Sequence, residues 1–182
     1  PARYIGCEDG ATTPRHDKLP NGGTVAWLLA YPDAYEIGLP KQGLQILYEL
    51  LNERDDAVAE RTYAPWLDLS SQMRTSGVPL FSVDTHRPAS DFDILAFNLS
   101  SELVFTNVLE MIDLAGIPLH AADRGPTDSL VMVGGHAAFN PEPLADFIDA
   151  AVLGEGEEVV ADITDLVRDW KLSGRTSREG FL

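Results

Sequence analysis

The sequence predicts an α/β domain built on a doubly wound parallel sheet with helices on both faces. Three observations carry this. Short apolar runs at 25–31, 94–99 and 130–133 lack the polar alternation of a half-exposed strand, the pattern of strands covered on both sides. Segments of helical period follow them, which is the βαβ signature of parallel sheets with right-handed crossovers. Finally, 182 residues with 45% hydrophobic content can bury one core without disulfide or metal staples.

The elements follow in order. Residues 1–24, with Gly10, Pro14, Pro20, Gly22 and Gly23, have no sustained period and read as an irregular leader. Val25–Tyr31 is the first strand, closed by Pro32. Residues 42–52 form a helix whose Leu44, Leu47, Tyr48 and Leu51 share one face, with Pro40 near its start. A second strand is expected at 59–66 and a second helix at 68–75, with Asp68 as its N-cap and Gly77-Val-Pro79 as its stop. Residues 80–83 suggest a small edge strand. The third strand, 94–99, leads through a Ser100 or Ser101 cap into a helix reaching Leu114 and ending at Gly116. Val104, Val108, Ile112 and Ala115 mark its buried stripe. A fourth strand at 130–133 turns at Gly134-Gly135, a short helix is expected at 141–147, and a fifth strand at 150–153. The last helix, 155–170, presents Val159, Ile163, Leu166, Val167 and Trp170 to the sheet and places Glu155, Glu157 and Glu158 where the helix dipole favours them. Trp27, Trp66 and Trp170 are expected in the core.

Charge and cysteine content exclude several functions. The formal net charge is −16, and only Arg54, Arg61, Arg74, Arg87 and Arg124 are basic within 42–167. A body so acidic cannot displace the counterions of a nucleic acid, so direct nucleic-acid binding is not expected. Arg168, Lys171, Arg175 and Arg178 crowd the last fifteen positions, where a solvated helix end and tail is the expectation. Cys7 is the single cysteine, which rules out a disulfide framework, a multi-cysteine zinc site and an iron–sulfur cluster held by this chain alone. The apolar runs fall far short of the roughly 20 residues that span a bilayer. No membrane association and a cytoplasmic location are the expectations.

In a sheet of this kind ligands bind at the carboxyl ends of the strands, near the point where strand order reverses. The loops there are 32–38, 100–103, 134–141 and 154–156. None carries a familiar catalytic signature. Gly154-Glu-Gly156 has Val159 at the third position of a dinucleotide fingerprint, no phosphate loop ending in Gly-Lys-Ser/Thr occurs, and Ser100 and Ser101 lie outside any Gly-x-Ser-x-Gly elbow. His16, His86, His120 and His136 are scattered without ligand spacing, so no metal site and no catalytic residue are assigned.

Taken together, the loops carry a resemblance. The runs Tyr31-Pro-Asp-Ala-Tyr-Glu-Ile-Gly-Leu39, Tyr63-Ala-Pro-Trp66, Val133-Gly-Gly-His-Ala-Ala-Phe-Asn-Pro-Glu-Pro-Leu-Ala-Asp-Phe-Ile-Asp149 and Leu153-Gly-Glu-Gly-Glu-Glu158 resemble the cobalamin-binding-type domain that precedes the radical S-adenosylmethionine core, in particular the YgiQ-like group. The resemblance implies a flavodoxin-like sheet of order 2-1-3-4-5 over residues 25–170, and a linker at 171–182 leading to a catalytic core. That core would carry the [4Fe–4S] cluster and S-adenosylmethionine, since the three-cysteine motif that holds them is absent here. It also implies a corrin cradle formed by Asp33, Tyr35, Gly38, Ser100, Ser101, Gly134, Gly135 and Gly154. Gly134 and Gly135 would meet the nucleotide tail, and 33–38 the lower corrin face. On this expectation Gly135→Val abolishes binding and leaves the fold intact. The departure from the family pattern is at Tyr35, which stands where the histidine ligand of cobalt is found, and a phenol with a pKa near 10 is a poor cobalt ligand.

Two functional readings stay open from sequence. In one, the rim holds cobalamin without a histidine below the metal. In the other, the fold is kept without a corrinoid and the rim docks onto the protein's own catalytic core or a macromolecular substrate. A flavin-binding alternative is weaker, because 32–38 lacks a Ser/Thr-rich phosphate loop.

Overall fold

A computed structural model describes residues 14–18 and 22–182 of the chain. Cys7 and most of the leader lie outside the described residues. Five parallel strands, β1 (Val25–Tyr31), β2 (Ala57–Tyr63), β3 (Ile94–Asn98), β4 (Leu130–Gly134) and β5 (Ala150–Ala151), form one sheet in the order β2-β1-β3-β4-β5. This is the flavodoxin-like α/β arrangement that the sequence predicts.

Alternation along the strands builds two cores. Leu28, Ala30, Leu95, Phe97, Val131 and Val133 face the side covered by α3 (Leu67–Ser76) and α4 (Phe105–Leu114). Trp27, Leu29, Ile94, Ala96, Leu130 and Met132 face the side covered by α2 (Gln42–Glu53) and α5 (Gly156–Leu172). A single helical turn, α1 (Tyr35–Gly38), precedes α2. The stripe expected for α4 is buried in full, and Ser101 caps the turn before it by accepting a bond from Leu103 N at 3.2 Å.

The structure departs from the sequence expectation at several places. Strand β2 begins and ends earlier than 59–66, since Ala57 and Val58 already pair with Val25 and Ala26 and the pairing with β1 stops at Tyr63, ahead of Pro65, and Glu60 and Arg61 are buried within it. Each charge has a partner on the segment beside the sheet edge. Asp84 accepts from Arg61 N and from Arg61 Nη2, both at 2.7 Å, while Ser82, Thr85 and His16 bond to Glu60. Burial works against the Glu60 charge, but these three bonds hold its carboxyl below the ordinary glutamate value. Residues 80–83 form no strand: one isolated bridge, Phe81 to Pro88, marks a loop that covers the free edge of β2, with Val83 N donating to Arg61 O at 2.8 Å. Residues 141–147 coil into a 3₁₀ turn, Glu142–Leu144, since Pro141 and Pro143 withhold N–H donors. Strand β5 is two residues long. Asp68 bonds to the adjacent Leu69 N rather than capping α3, and Trp66 takes the cap position with 49% of its surface exposed, outside the core. Leu166 is likewise exposed; Val160, Thr164, Val167 and Trp170 form the buried face of α5.

The basic tail is not a free solvated end. At the amino ends of the strands the Asp93 carboxylate accepts from Ala26 N, Lys171 Nζ and Arg175. Asp149 accepts from Arg124 Nη1 at 2.9 Å, Arg178 Nη2 at 2.7 Å and Val131 N at 2.7 Å. Arg178 also donates to the carbonyls of Gly125, Asp128 and Ser129, and Phe181 stacks on Trp170. Residues 171–182 therefore pack against the domain.

Candidate functional site

The carboxyl ends of the strands carry a different chemistry. Size tapers along the strands on the α2 and α5 side. In β3 the inward series runs Ile94, Ala96, Asn98, and in β4 it runs Leu130, Met132, Gly134. Gly43 faces Asn98 from α2, and Gly156 begins α5. The helices cannot close over side chains this small, and an apolar cavity of about 150 Å3 remains between the sheet and the two helices. Trp27, Leu29 and Met132 form its sheet wall; Leu44, Leu47, Val160 and Ile163 form its helix wall. Polar groups on its lining are few. The Asn98 carboxamide lies in it, the Glu157 carboxylate stands at its exposed end, and the lining holds no cationic side chain.

Two of the glycines at the cavity mouth are dictated by the backbone. Gly135 has φ +92°, and a Cβ there would meet Leu99 O at 2.8 Å. Gly154 has φ +115°. Gly134 is different: its φ is ordinary, and an added Cβ would stand 3.8 Å from Val152, so its smallness is not needed by the fold and serves to keep the cavity open. Gly135→Val therefore strains this turn and destabilises the fold, contrary to the sequence expectation that it leaves the fold intact, and the informative position is Gly134.

The eight residues expected at the site divide into two groups. Gly134, Gly135 and Gly154 line the cavity, while Asp33, Tyr35, Gly38, Ser100 and Ser101 lie outside it on the neighbouring loops. Asp33 Oδ1 accepts from Ala34 N at 2.7 Å and so shapes its own turn. Tyr35 is partly buried with its ring edge-on to Tyr63, centroids 5.1 Å apart. Gly38 is held by packing, since a Cβ would come within 2.5 Å of the Tyr63 ring. Ser100 bonds to Tyr31 OH at 2.8 Å, and Asn107 Nδ2 donates to Pro32 O at 2.9 Å. The first bond ties the end of β1 to the loop after β3 and the second ties the loop after β1 to α4, at the point where strand order reverses. Sequence reasoning missed Asn98, Gly43 and Ala96. The signal was present in the inward stripe Ile94, Ala96, Asn98, where a shrinking series ends in a polar residue.

Around the cavity the rim is apolar and exposed. Ile37 follows β1, Trp66 and Leu67 follow β2, Leu103 follows β3, Phe139 follows β4 and Leu153 follows β5. Leu67 and Leu103 have 81% and 89% of their surface in solvent. Among the described residues no group of three or more His, Cys, Asp or Glu side chains is arranged to hold a metal ion, and no helix is long and apolar enough to cross a membrane.

The family model described as radical SAM proteins, N-terminal, matches residues 43–182. No curated protein matches the chain. Because the match covers more than three-quarters of the sequence, the chain belongs to this family, the N-terminal regions of radical S-adenosylmethionine proteins.

Proposed function

We propose that this N-terminal region is an accessory domain that carries cobalamin for the radical S-adenosylmethionine core of its protein. The observation that carries the reading is the cavity itself. Gly43, Ala96 and Gly134 leave open an apolar slot at the carboxyl edge of the sheet, at the depth where a corrinoid's nucleotide tail would enter. The residues fit the tail better than they fit the metal. Gly134, Gly135 and Gly154 allow close backbone approach, and the exposed Ile37, Leu103 and Phe139 offer an apolar bed for the ring. Tyr35 packs on Tyr63, and as a neutral phenol it leaves the lower face of the cobalt without a strong protein ligand. The motif runs around Asp33 and Gly134 support placement in the YgiQ-like group. The [4Fe–4S] cluster and S-adenosylmethionine belong to the catalytic core, because a chain with one cysteine cannot supply three thiolates.

A second reading is favoured by the rim. An apolar edge spread over all five loops also suits a flat protein surface, with the catalytic core or a macromolecular substrate as the partner and no corrinoid between them. One experiment separates the two. The purified chain is incubated anaerobically with hydroxocobalamin, desalted and scanned in the visible, beside Gly134→Val. Retained corrinoid in the parent chain and its loss in the variant support the cofactor reading. Colourless protein in both ends it in favour of docking.

A further inference from the structure

We propose that residues 176–182 form a strap that opens and closes about Arg175, and that the receptor it closes on reads an arginine followed three residues later by an aromatic side chain. The receptor lies at the amino end of the sheet and does not depend on what the carboxyl edge binds.

The grip of the strap is concentrated in two side chains. Arg178 is buried and Phe181 partly buried, while the other five residues of 176–182 are exposed. A single turn puts the two on one side: Ser177 Oγ accepts from Gly180 N at 3.0 Å, and Arg178 O accepts from Phe181 N at 3.1 Å and Leu182 N at 3.0 Å. All five guanidinium donors of Arg178 are used. Nε and Nη2 reach the Asp149 carboxylate, Nη2 also reaches Ser129 O, and Nη1 donates to the carbonyls of Gly125 and Asp128. Phe181 stacks on Trp170 with ring centroids 4.5 Å apart and planes 18° from parallel.

The receptor is held by bonds that do not involve the strap. Asp149 Oδ2 also accepts from Arg124 Nη1 and Val131 N, so its charge stays paired when Arg178 leaves. The carbonyl turn is fixed by Gly125 N donating to Asp128 Oδ2 at 2.7 Å and by Ser129 Oγ donating to Phe92 O at 2.7 Å. Opening therefore releases Arg178 to water and leaves no buried charge alone, which separates it from unfolding. Closure carries two costs. Arg175 holds φ +51°, a left-handed conformation in a residue with a Cβ, directly after Gly174 at φ +86°. Trp170 Nε1 is buried without an acceptor among the described residues. The pivot stays anchored throughout, because the Arg175 guanidinium bonds to Asp93 and lies 5.3 Å from the Trp170 ring centre. A preformed receptor, a two-point ligand and a strained pivot make a segment with two discrete states.

Two measurements test this. In the isotope-labelled parent chain, the amides of Phe181 and Leu182 are expected to exchange hydrogen at least about tenfold more slowly than a free peptide and at least about tenfold faster than β1 and β3. Arg178→Ala should bring both to the free-peptide rate and leave β1 and β3 unchanged. Exchange at the free-peptide rate in the parent, or only at the rate of β1 and β3, overturns the proposal. The second measurement empties the receptor in the full chain with the double substitution Arg178→Ala and Phe181→Ala, then titrates a synthetic peptide of residues 176–182. Saturable binding is expected, at least about tenfold tighter than to the parent chain, whose own strap competes at high effective concentration. The same peptide carrying Arg178→Ala is expected not to bind. No binding to the double variant, equal binding to parent and variant, or equal binding of the two peptides overturns the proposal. The exchange measurement on the parent chain decides it alone if the double variant does not fold.

Discussion

The two ends of the sheet are built from opposite materials. At the amino ends, ion pairs gather the strands, the last helix and the tail: the buried Asp93 binds Lys171 and Arg175, the buried Asp149 binds Arg124 and Arg178, and the partly exposed Asp56 and Asp165 both accept from Arg54 and Arg168. At the carboxyl ends the structure offers glycines, a cavity and exposed apolar side chains, with neutral bonds such as Tyr31 to Ser100 fixing the loops. The contrast teaches a division of labour. Charge networks desolvated at one end hold the fold, which lets the other end leave apolar surface and a void unfilled.

The largest effect should come from breaking the amino end. Asp149→Ala strands the buried guanidinium groups of Arg124 and Arg178, and a loss of about 3–5 kcal/mol is expected in urea unfolding. A loss below about 1 kcal/mol would show that this end does not hold the fold. Next is a pair of glycines one residue apart. Gly135→Val should cost roughly 2–4 kcal/mol, because it meets both a left-handed backbone and Leu99 O, whereas Gly134→Val should leave the melting temperature near that of the parent while filling the cavity. Equal melting of the two variants would contradict the distinction.

Acid should weaken the charged regions and spare the rim. Hydrogen bonds from Arg54 and Arg168 hold the Asp56 carboxyl below its ordinary value, and the bonds from His16, Ser82 and Thr85 do the same for Glu60 against the cost of burial. With folded pKa values below the unfolded ones, their stabilisation is present above the ordinary carboxylate range, near pH 4, and is lost as pH falls through the folded values. The urea midpoint should therefore drop between pH 5 and pH 3. Glu60→Gln should reduce that drop; an unchanged pH profile would remove Glu60 from the account. The smallest effect is expected at the rim. Leu103→Ser and Phe139→Ser, both largely in solvent, should change stability by less than about 0.5 kcal/mol. A larger loss would mean that the rim serves the fold as well as contact.

How much of this was legible depended on whether a residue's partner was local. Strand β1, the α4 stripe, the Ser101 cap and the Gly77 stop were readable because periodicity and capping act within a few residues. In strand β2 the burial of Glu60 and Arg61 is not legible, because both look like surface charges until His16, Ser82 and Asp84 are brought beside them. The basic tail read as solvated for the same reason. At the candidate site, the glycine turns and the loop motifs were visible, but the cavity was not. It arises from Gly43, Ala96 and Gly134 lying opposite one another across two layers, a relation that no stretch of sequence contains.

By itself the sequence determined the α/β class, the parallel strands, the helix faces and the family, since these follow from local period, local capping and motif order. Tertiary structure alone decided where the charges end, which glycines are required by the backbone and which keep space open, and that Asn98 faces an apolar slot. Those outcomes depend on pairing and packing between distant segments, where burial makes a charge costly without its partner and a missing side chain consequential only if nothing moves in to replace it.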